Sequence, residues 1–248
     1  MDFKKEESLM HDFRPVGDKG ILIHFEQKIS PDISAQIRQL MSKLDELKNP
    51  AVIEVLPAYA TLCVIYDPLI MDYEGCKNLL SSLLEDKQSG ESVSAKVFEI
   101  PVLYSKETGP DLEFVSEHSG LKIDEIISIH TASEYLIYML GFAPGFPYLG
   151  GMDERIAAPR LKVPRQKIIP GSVGIAGSQT GMYPIESPGG WQLIGRTPVT
   201  LYDPHRNPPV YYNAGDYVKY KAIDEAEFND ILDSEKNGRY EVKTWLRQ

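Results

Sequence analysis

Residues 141–220 hold 12 of the chain's 19 glycines and 11 of its 18 prolines. Proline withholds a backbone donor and fixes φ, so long helices cannot form there. Apolar runs are short and punctuated, which predicts an all-β barrel or sandwich. "GFAPGFPYLGG", residues 141–151, sets the tone: four glycines and two prolines surround Phe142, Phe146 and Tyr148. The spacing predicts a stiffened backbone carrying a fixed apolar wall.

The preceding residues have a different grammar. "KGILIHFE" reads as a strand, and "SPDISAQIRQLMSKLDELKN" as an amphipathic helix with Ser30 as N-cap and Pro31 at its first position. Ile33, Ile37, Leu40, Leu44 and Leu47 recur at three- and four-residue steps. "AVIEVLP" and "ATLCVIYDP" form a hairpin around Ala58-Tyr59, and "MDYEGCKNLLSSLLED" is a second helix. The order ββαββα predicts an α+β N-terminal domain over 1–92, a two-layer sheet with helices on one face. The polar stretch at 87–94 marks the boundary to a second domain over 93–248. That domain opens with the strand "AKVFEIPVLY". Helices at "PDLEFVSEHSG" and "KIDEIISIHTA" and the strand "EYLIYML" follow. "PVTLYDP", "PPVYYNAGD" and "DYVKYKAI" read as closing strands, before a surface helix that Gly238 stops.

A formal net charge of −10 argues against nucleic acid as the main partner. The charge is uneven: residues 141–220 carry eight Lys/Arg against five Asp/Glu. A locally basic, loop-rich segment in an acidic chain points to an anion site or to uneven surface decoration. The longest charge-free stretch, Ile168 to Ile185, holds four glycines and two prolines and is no membrane helix. The polar N-terminus lacks a signal peptide's apolar run, so a cytoplasmic location without membrane attachment is expected. Cys63 and Cys76 read as buried free thiols.

Candidate site residues follow from side-chain chemistry, each with a plainer alternative. Arg160 and Arg165 each follow a proline and offer planar forks suited to carboxylate or phosphate; otherwise they are surface residues beside turns. "GSVGIAGSQTG" lets a backbone approach a ligand, with Gln179 and Thr180 behind it, or turns a barrel corner. Trp191 in "YPIESPGGWQLIGRTP" walls a pocket beside Arg196, or is core. His130 is structural or a proton carrier. No zinc-ligand spacing, Walker A, GxSxG elbow, HExxH or amidase signature is present, so no metal site is expected. One half of a site, completed by a partner chain, is easier to assemble than a whole enzyme.

Taken together, "IPVLYSKETGPDLEFV", "IHTASEYLIYMLGFAPGFPYLGG", "APRLKVPRQKIIPGSVGIAGSQTGMYPIESPGGWQLIGRTP" and "PPVYYNAGDYVKY" resemble the KipI/PxpB family, also labelled allophanate hydrolase subunit 1. Where that family shows Cys-Tyr-Gly, this chain has Leu103-Tyr104-Ser105. The resemblance implies a mostly-β, cyclophilin-like barrel as the second domain. It implies a subunit of an ATP-dependent 5-oxoprolinase, inactive alone, working with a PxpC-like cyclophilin-fold subunit and a PxpA-like subunit. ATP, with Mg, would be bound by the assembled complex. 5-Oxoproline would lie against Phe142, Pro144, Phe146, Tyr148, Tyr183, Trp191 and Arg196. Arg160 and Arg165 would hold carboxylate or phosphate, Gln179 and Thr180 would orient the lactam, and His130 would move a proton. Two alternatives come with the family: a non-catalytic inhibitor of a histidine kinase, as KipI is named, and a half subunit of the urea carboxylase kind.

Overall fold

The computed structural model describes residues 11–26, 30–86 and 95–247. The chain divides into two compact units, Met1–Val93 and Ser94–Gln248, each with its own core. The stretch at 87–94 expected to separate two domains lies outside the described residues.

In the first unit the strands are β1 (Asp12–Val16), β2 (Gly20–His24), β3 (Val52–Pro57) and β4 (Thr61–Tyr66). They form an antiparallel sheet in the order β1-β2-β4-β3. Helices α1 (Pro31–Leu47) and α2 (Tyr73–Glu85) complete the unit. Strand alternation turns Ile21, Ile23, Leu62, Val64 and Tyr66 toward one face. They meet Ile33, Ile37, Leu40 and Leu44 of α1 and Cys76 and Leu80 of α2 in one core. Ser30 caps α1 by accepting from the Asp32 amide at 3.3 Å, with Pro31 following. Two expectations need correction. Leu47 ends the apolar stripe of α1 but is 46% exposed, at the last residue of the helix and outside the core that Ile33, Ile37, Leu40 and Leu44 join. Cys63 is a free thiol but only half-buried, since it alternates with Leu62 and Val64 and so faces away from the helices.

The second unit begins with β5 (Lys96–Leu103), α3 (Leu112–Ser119), α4 (Ile123–Ala132), β6 (Glu134–Leu140) and β7 (Pro147–Gly150). Short strands follow: β8 (Arg165–Ile168), β9 (Ser172–Ala176), β10 (Gln179–Met182), β11 (Ser187–Gly189) and β12 (Gln192–Arg196). β13 (Tyr217–Ile223), α5 (Glu225–Lys236) and β14 (Thr244–Leu246) end the chain. The main sheet runs β10-β9-β12-β5-β13-β6-β7, with β5 and β13 parallel and β14 on β5. Its end strands β7 and β10 lie against each other, so the sheet curls nearly to closure around an apolar interior. This is the mixed barrel behind an α/β sheet region that the resemblance implies. β8 and β11 form a separate two-stranded ribbon.

Two of the expected closing strands are not strands. Between residues 198 and 216 there is one isolated bridge, Tyr202 to Val210. Pro204, Pro208 and Pro209 have no N–H to give a ladder. Arg206 holds the segment instead, donating to the carbonyls of Thr200, Leu201, Pro208 and Pro209 at 3.0–3.3 Å. Its guanidinium lies 3.6 Å from the centre of the Tyr211 ring.

Candidate functional site

The barrel wall formed by β9, β10 and β12 has two differently furnished faces. In β9, Val173 and Ile175 enter the barrel core while Ala176 joins a second, smaller cluster. In β10, Thr180 and Met182 point inward, and Gly181 turns out toward Trp191 and Phe146. The absent side chain at Gly181 is functional: a Cβ there would stand 3.0 Å from the indole. The outer cluster comprises Phe146, Ile168, Ala176, Tyr183, Trp191 and Leu193. Phe146 sits at its centre, with edge-on contacts to Phe142, Tyr148, Tyr183 and Trp191 at centroid distances of 5.3–5.8 Å.

The turn that carries Phe142 is held locally. Ala143 N–H donates to the Gly141 carbonyl at 2.6 Å, and Phe146 N–H to the Ala143 carbonyl at 3.0 Å. From the barrel side, the buried Tyr212 hydroxyl donates to the Gly145 carbonyl at 2.8 Å. Phe142 itself adopts φ 61°, a left-handed conformation that costs a side-chain-bearing residue about 1–2 kcal/mol. It is 64% exposed.

Phe142, Phe146, Tyr148, Tyr183 and Trp191, with Pro164, Pro188, Gly189 and Gly190 of the β8–β11 ribbon region, enclose a cavity of about 270 Å³. Arg160 is the charged residue of its lining. It is exposed and makes no hydrogen bond or ion pair with another described residue. Burial pushes the Tyr183 hydroxyl up to about 12, so it stays a neutral phenol at physiological pH. The lining offers aromatic faces for a planar ring and one guanidinium fork for an anion. Its ionisable side chains are two phenols and a guanidinium, with no carboxylate, thiol or imidazole among them, a set suited to binding.

The other candidates lie elsewhere. His130 is fully buried in the barrel, stacked on Tyr220 at 4.5 Å. Its Nδ1 pairs with the Tyr104 hydroxyl and its Nε2 with Thr180 Oγ1, both at 2.7 Å. Thr180 gives its own proton to the Gly174 carbonyl at 3.2 Å, so Nε2 carries the imidazole hydrogen and Nδ1 accepts from Tyr104. Burial drives this imidazole down to about 3 from its ordinary 6.5. A neutral ring with both nitrogens engaged and no exposure is a core residue, and the proton-carrier expectation finds no geometry here. Thr180 serves that same core.

Arg165 is not free to clamp an anion. Its Nη2 pairs with the Asp111 carboxylate at 2.7 Å, and its Nη1 donates to the Trp191 carbonyl at 3.3 Å. Arg196 donates to the Pro170 carbonyl at 3.1 Å and lies 6.0 Å from the Phe228 ring, tying the barrel to α5. Gln179 opens β10 opposite Ala176, outside the cavity lining. Pro144 is exposed in the turn and also outside it. Sequence reading missed Asp111: an acid before a helix looks like a cap, and nothing local points to partners 54 and 82 residues away.

For a nucleoside triphosphate and its Mg²⁺ this lining offers one guanidinium and no carboxylate, a poor match. No group of three His, Cys, Asp or Glu able to hold a metal ion is found among the described residues. No helix among the described residues is long and apolar enough to cross a membrane.

Comparison with known proteins adds a family. The model of the carboxyltransferase domain, subdomain C and D, matches residues 11–212. The B subunit of 5-oxoprolinase from Bacillus subtilis is 42% identical over 90% of this chain and 97% of its own. The one from Escherichia coli O157:H7 is 36% identical over 83% of this chain and 93% of its own. Among solved structures, a conserved uncharacterised protein of Pyrococcus horikoshii is 47% identical. It covers 88% of this chain and 100% of its own, with a TM-score of 0.53.

Proposed function

The chain belongs to the family of 5-oxoprolinase B subunits, and from that premise we propose that it serves an ATP-dependent 5-oxoprolinase in which the aromatic cavity holds the lactam. The observation that carries this reading is the meeting of five aromatic rings and one guanidinium, unpaired among the described residues, in a cavity of about 270 Å³. 5-Oxoproline is a small planar ring bearing one carboxylate. The ring faces of Phe146, Tyr148 and Trp191 match the lactam, and the Arg160 fork matches the carboxylate.

The net reaction takes one water to open the lactam C–N bond to glutamate and a second to convert ATP to ADP and phosphate. This chain contributes binding and orientation: Phe142 covers the mouth, Trp191 and Phe146 exclude water, and Arg160 fixes the carboxylate end. The lining has no carboxylate, thiol or imidazole, so in this reading the groups that activate water and protonate the leaving nitrogen come from partner chains. The letter B implies further subunits; here they are read as a PxpC-like and a PxpA-like chain, and ATP with Mg²⁺ is bound by the assembled complex. The alternative of a kinase inhibitor is separated by the same experiment.

That experiment is 5-oxoproline-dependent ATP hydrolysis by the purified chain, with and without the partner subunits. Activity is expected only in the assembly, and 5-oxoproline binding to the assembly is expected to weaken in Arg160→Gln. Turnover by the isolated chain, or an assembly indifferent to Arg160, would remove the reading.

A further inference from the structure

Asp111 stands where a helix cap belongs, yet its side chain caps no amide of α3. Its Oδ2 instead accepts from the Leu193 amide at 2.6 Å, while its own N–H donates to the Leu193 carbonyl at 3.0 Å. A single residue thus pairs with Leu193 in both directions, as a strand would. Its Oδ1 takes Nη2 of Arg165 at 2.7 Å, and Nη1 of that guanidinium reaches the Trp191 carbonyl. The two side chains are only 12% and 28% exposed, so water screens this pair weakly.

The place they hold is one the ladder leaves loose. The register of β12 against β9 shifts between Leu193 and Gly195. A bulge frees the residues before it from the alignment of the rest of the strand. Trp191 lies just before β12, and its indole must stand edge-on to Phe146 and Tyr183 and clear of Gly181.

We propose that Asp111 is a positioning residue of the aromatic site: directly through the Leu193 amide, and through Arg165 at the Trp191 carbonyl, it sets the indole that walls the cavity. Only the activity arm of its test rests on the cavity being the lactam site; the fluorescence arm does not.

The chain has two tryptophans, Trp191 and Trp245. In a Trp245→Phe background the emission of Trp191 is read alone. Asp111→Asn keeps one acceptor for Leu193 but loses the ion pair, and acrylamide quenching of Trp191 is expected to rise. In the assembled enzyme, KM for 5-oxoproline is expected to rise roughly tenfold with kcat little changed, the signature of a disturbed ground-state contact. Arg165→Lys keeps the charge but cannot reach Asp111 and the carbonyl together, and should shift both readouts the same way. It carries the test if Asp111→Asn fails to fold. The double variant Asp111→Asn, Arg165→Lys should be no worse in KM than either single change, because both break the same ion pair.

Quenching and KM unchanged in Asp111→Asn, with only a lowered melting temperature, would overturn the proposal and leave the pair as a fastener of α3. Additive effects on KM would overturn it too. Raised quenching with unchanged KM would support the positioning of Trp191 and overturn the cavity as the lactam site.

Discussion

Two aromatic clusters sit back to back across β9 and β10, built from the same kinds of residue. Inside the barrel, His130 meets Tyr104, Tyr135 and Tyr220, and both its ring nitrogens are spoken for. Outside, Phe146 meets Tyr148, Tyr183 and Trp191, with Arg160 at the rim, unpaired among the described residues. The difference lies in satisfaction and not in composition. A polar group whose partners all come from its own chain is part of the scaffold. One held beside apolar rings without a partner awaits one. Residue type alone made His130 and Arg160 equal candidates; their partners separate them.

That contrast can be broken most forcefully from the inside. His130→Ala strands the Tyr104 and Thr180 hydroxyls in a sealed interior, and should cost about 3 kcal/mol or more of stability. With about 2–4 °C of melting temperature per kcal/mol in a unit of this size, differential scanning calorimetry should show a drop of about 10 °C. A variant with unchanged melting temperature and abolished turnover would put His130 back among the catalytic groups.

Arg160→Gln is the opposite case. It should leave the melting temperature within a degree or so, as exposed unpaired side chains do. In the assembled enzyme it should raise KM for 5-oxoproline roughly ten- to hundredfold, the loss of a charge-assisted bond of about 1.5–3 kcal/mol. Steady-state kinetics and calorimetry on one preparation test both halves.

Acid pH sharpens the comparison from another side. The His130 imidazole titrates at its ordinary 6.5 when unfolded and at about 3 when folded. Between those values the unfolded chain binds a proton that the folded chain refuses, so stability is full above 6.5 and falls with acidification. The slope is about 1.4 kcal/mol per pH unit. Urea unfolding at a series of pH values should show this slope as the difference between the wild type and His130→Gln. Parallel curves would mean that the imidazole is not held neutral in the fold.

The smallest effect is expected at Phe142. Phe142→Gly relieves a left-handed backbone and should raise stability by about 1 kcal/mol or less. It also removes the ring at the cavity mouth, so KM should rise a few-fold. A gain in stability without change in KM would make Phe142 a mere oddity of the turn.

What was legible in the sequence was what adjacent residues decide. Ser30 and Pro31 start α1, Gly120 closes α3 at φ 73°, and short apolar runs marked out β2, β3 and β4, while the largely exposed β1 (Asp12–Val16) went unread. The aromatic wall was legible too, since Phe142, Phe146 and Tyr148 lie in one turn. Pairings over long distances were not. Arg165 reads like Arg160 until Asp111, 54 residues earlier, is seen to hold it. Ile126 and His130 are four residues apart and both buried on α4, a spacing that already hinted at a core histidine. Residues 198–216 misled because apolar runs between prolines look like strands. Whether a ladder forms depends on donors that proline lacks.

The strand β10 is one residue thick, and it is shared. Because Thr180 and Met182 belong to one room and Gly181 to the other, the two can change hands independently over evolutionary time. A lineage is expected to vary its ligand by exchanging residues such as Tyr148, Tyr183 or Pro188 without renegotiating the barrel. Yet a Cβ at 181 would stand 3.0 Å from the Trp191 indole, so any larger residue there has to press that ring aside. That one position is therefore where a descendant chain would first reshape the outer room.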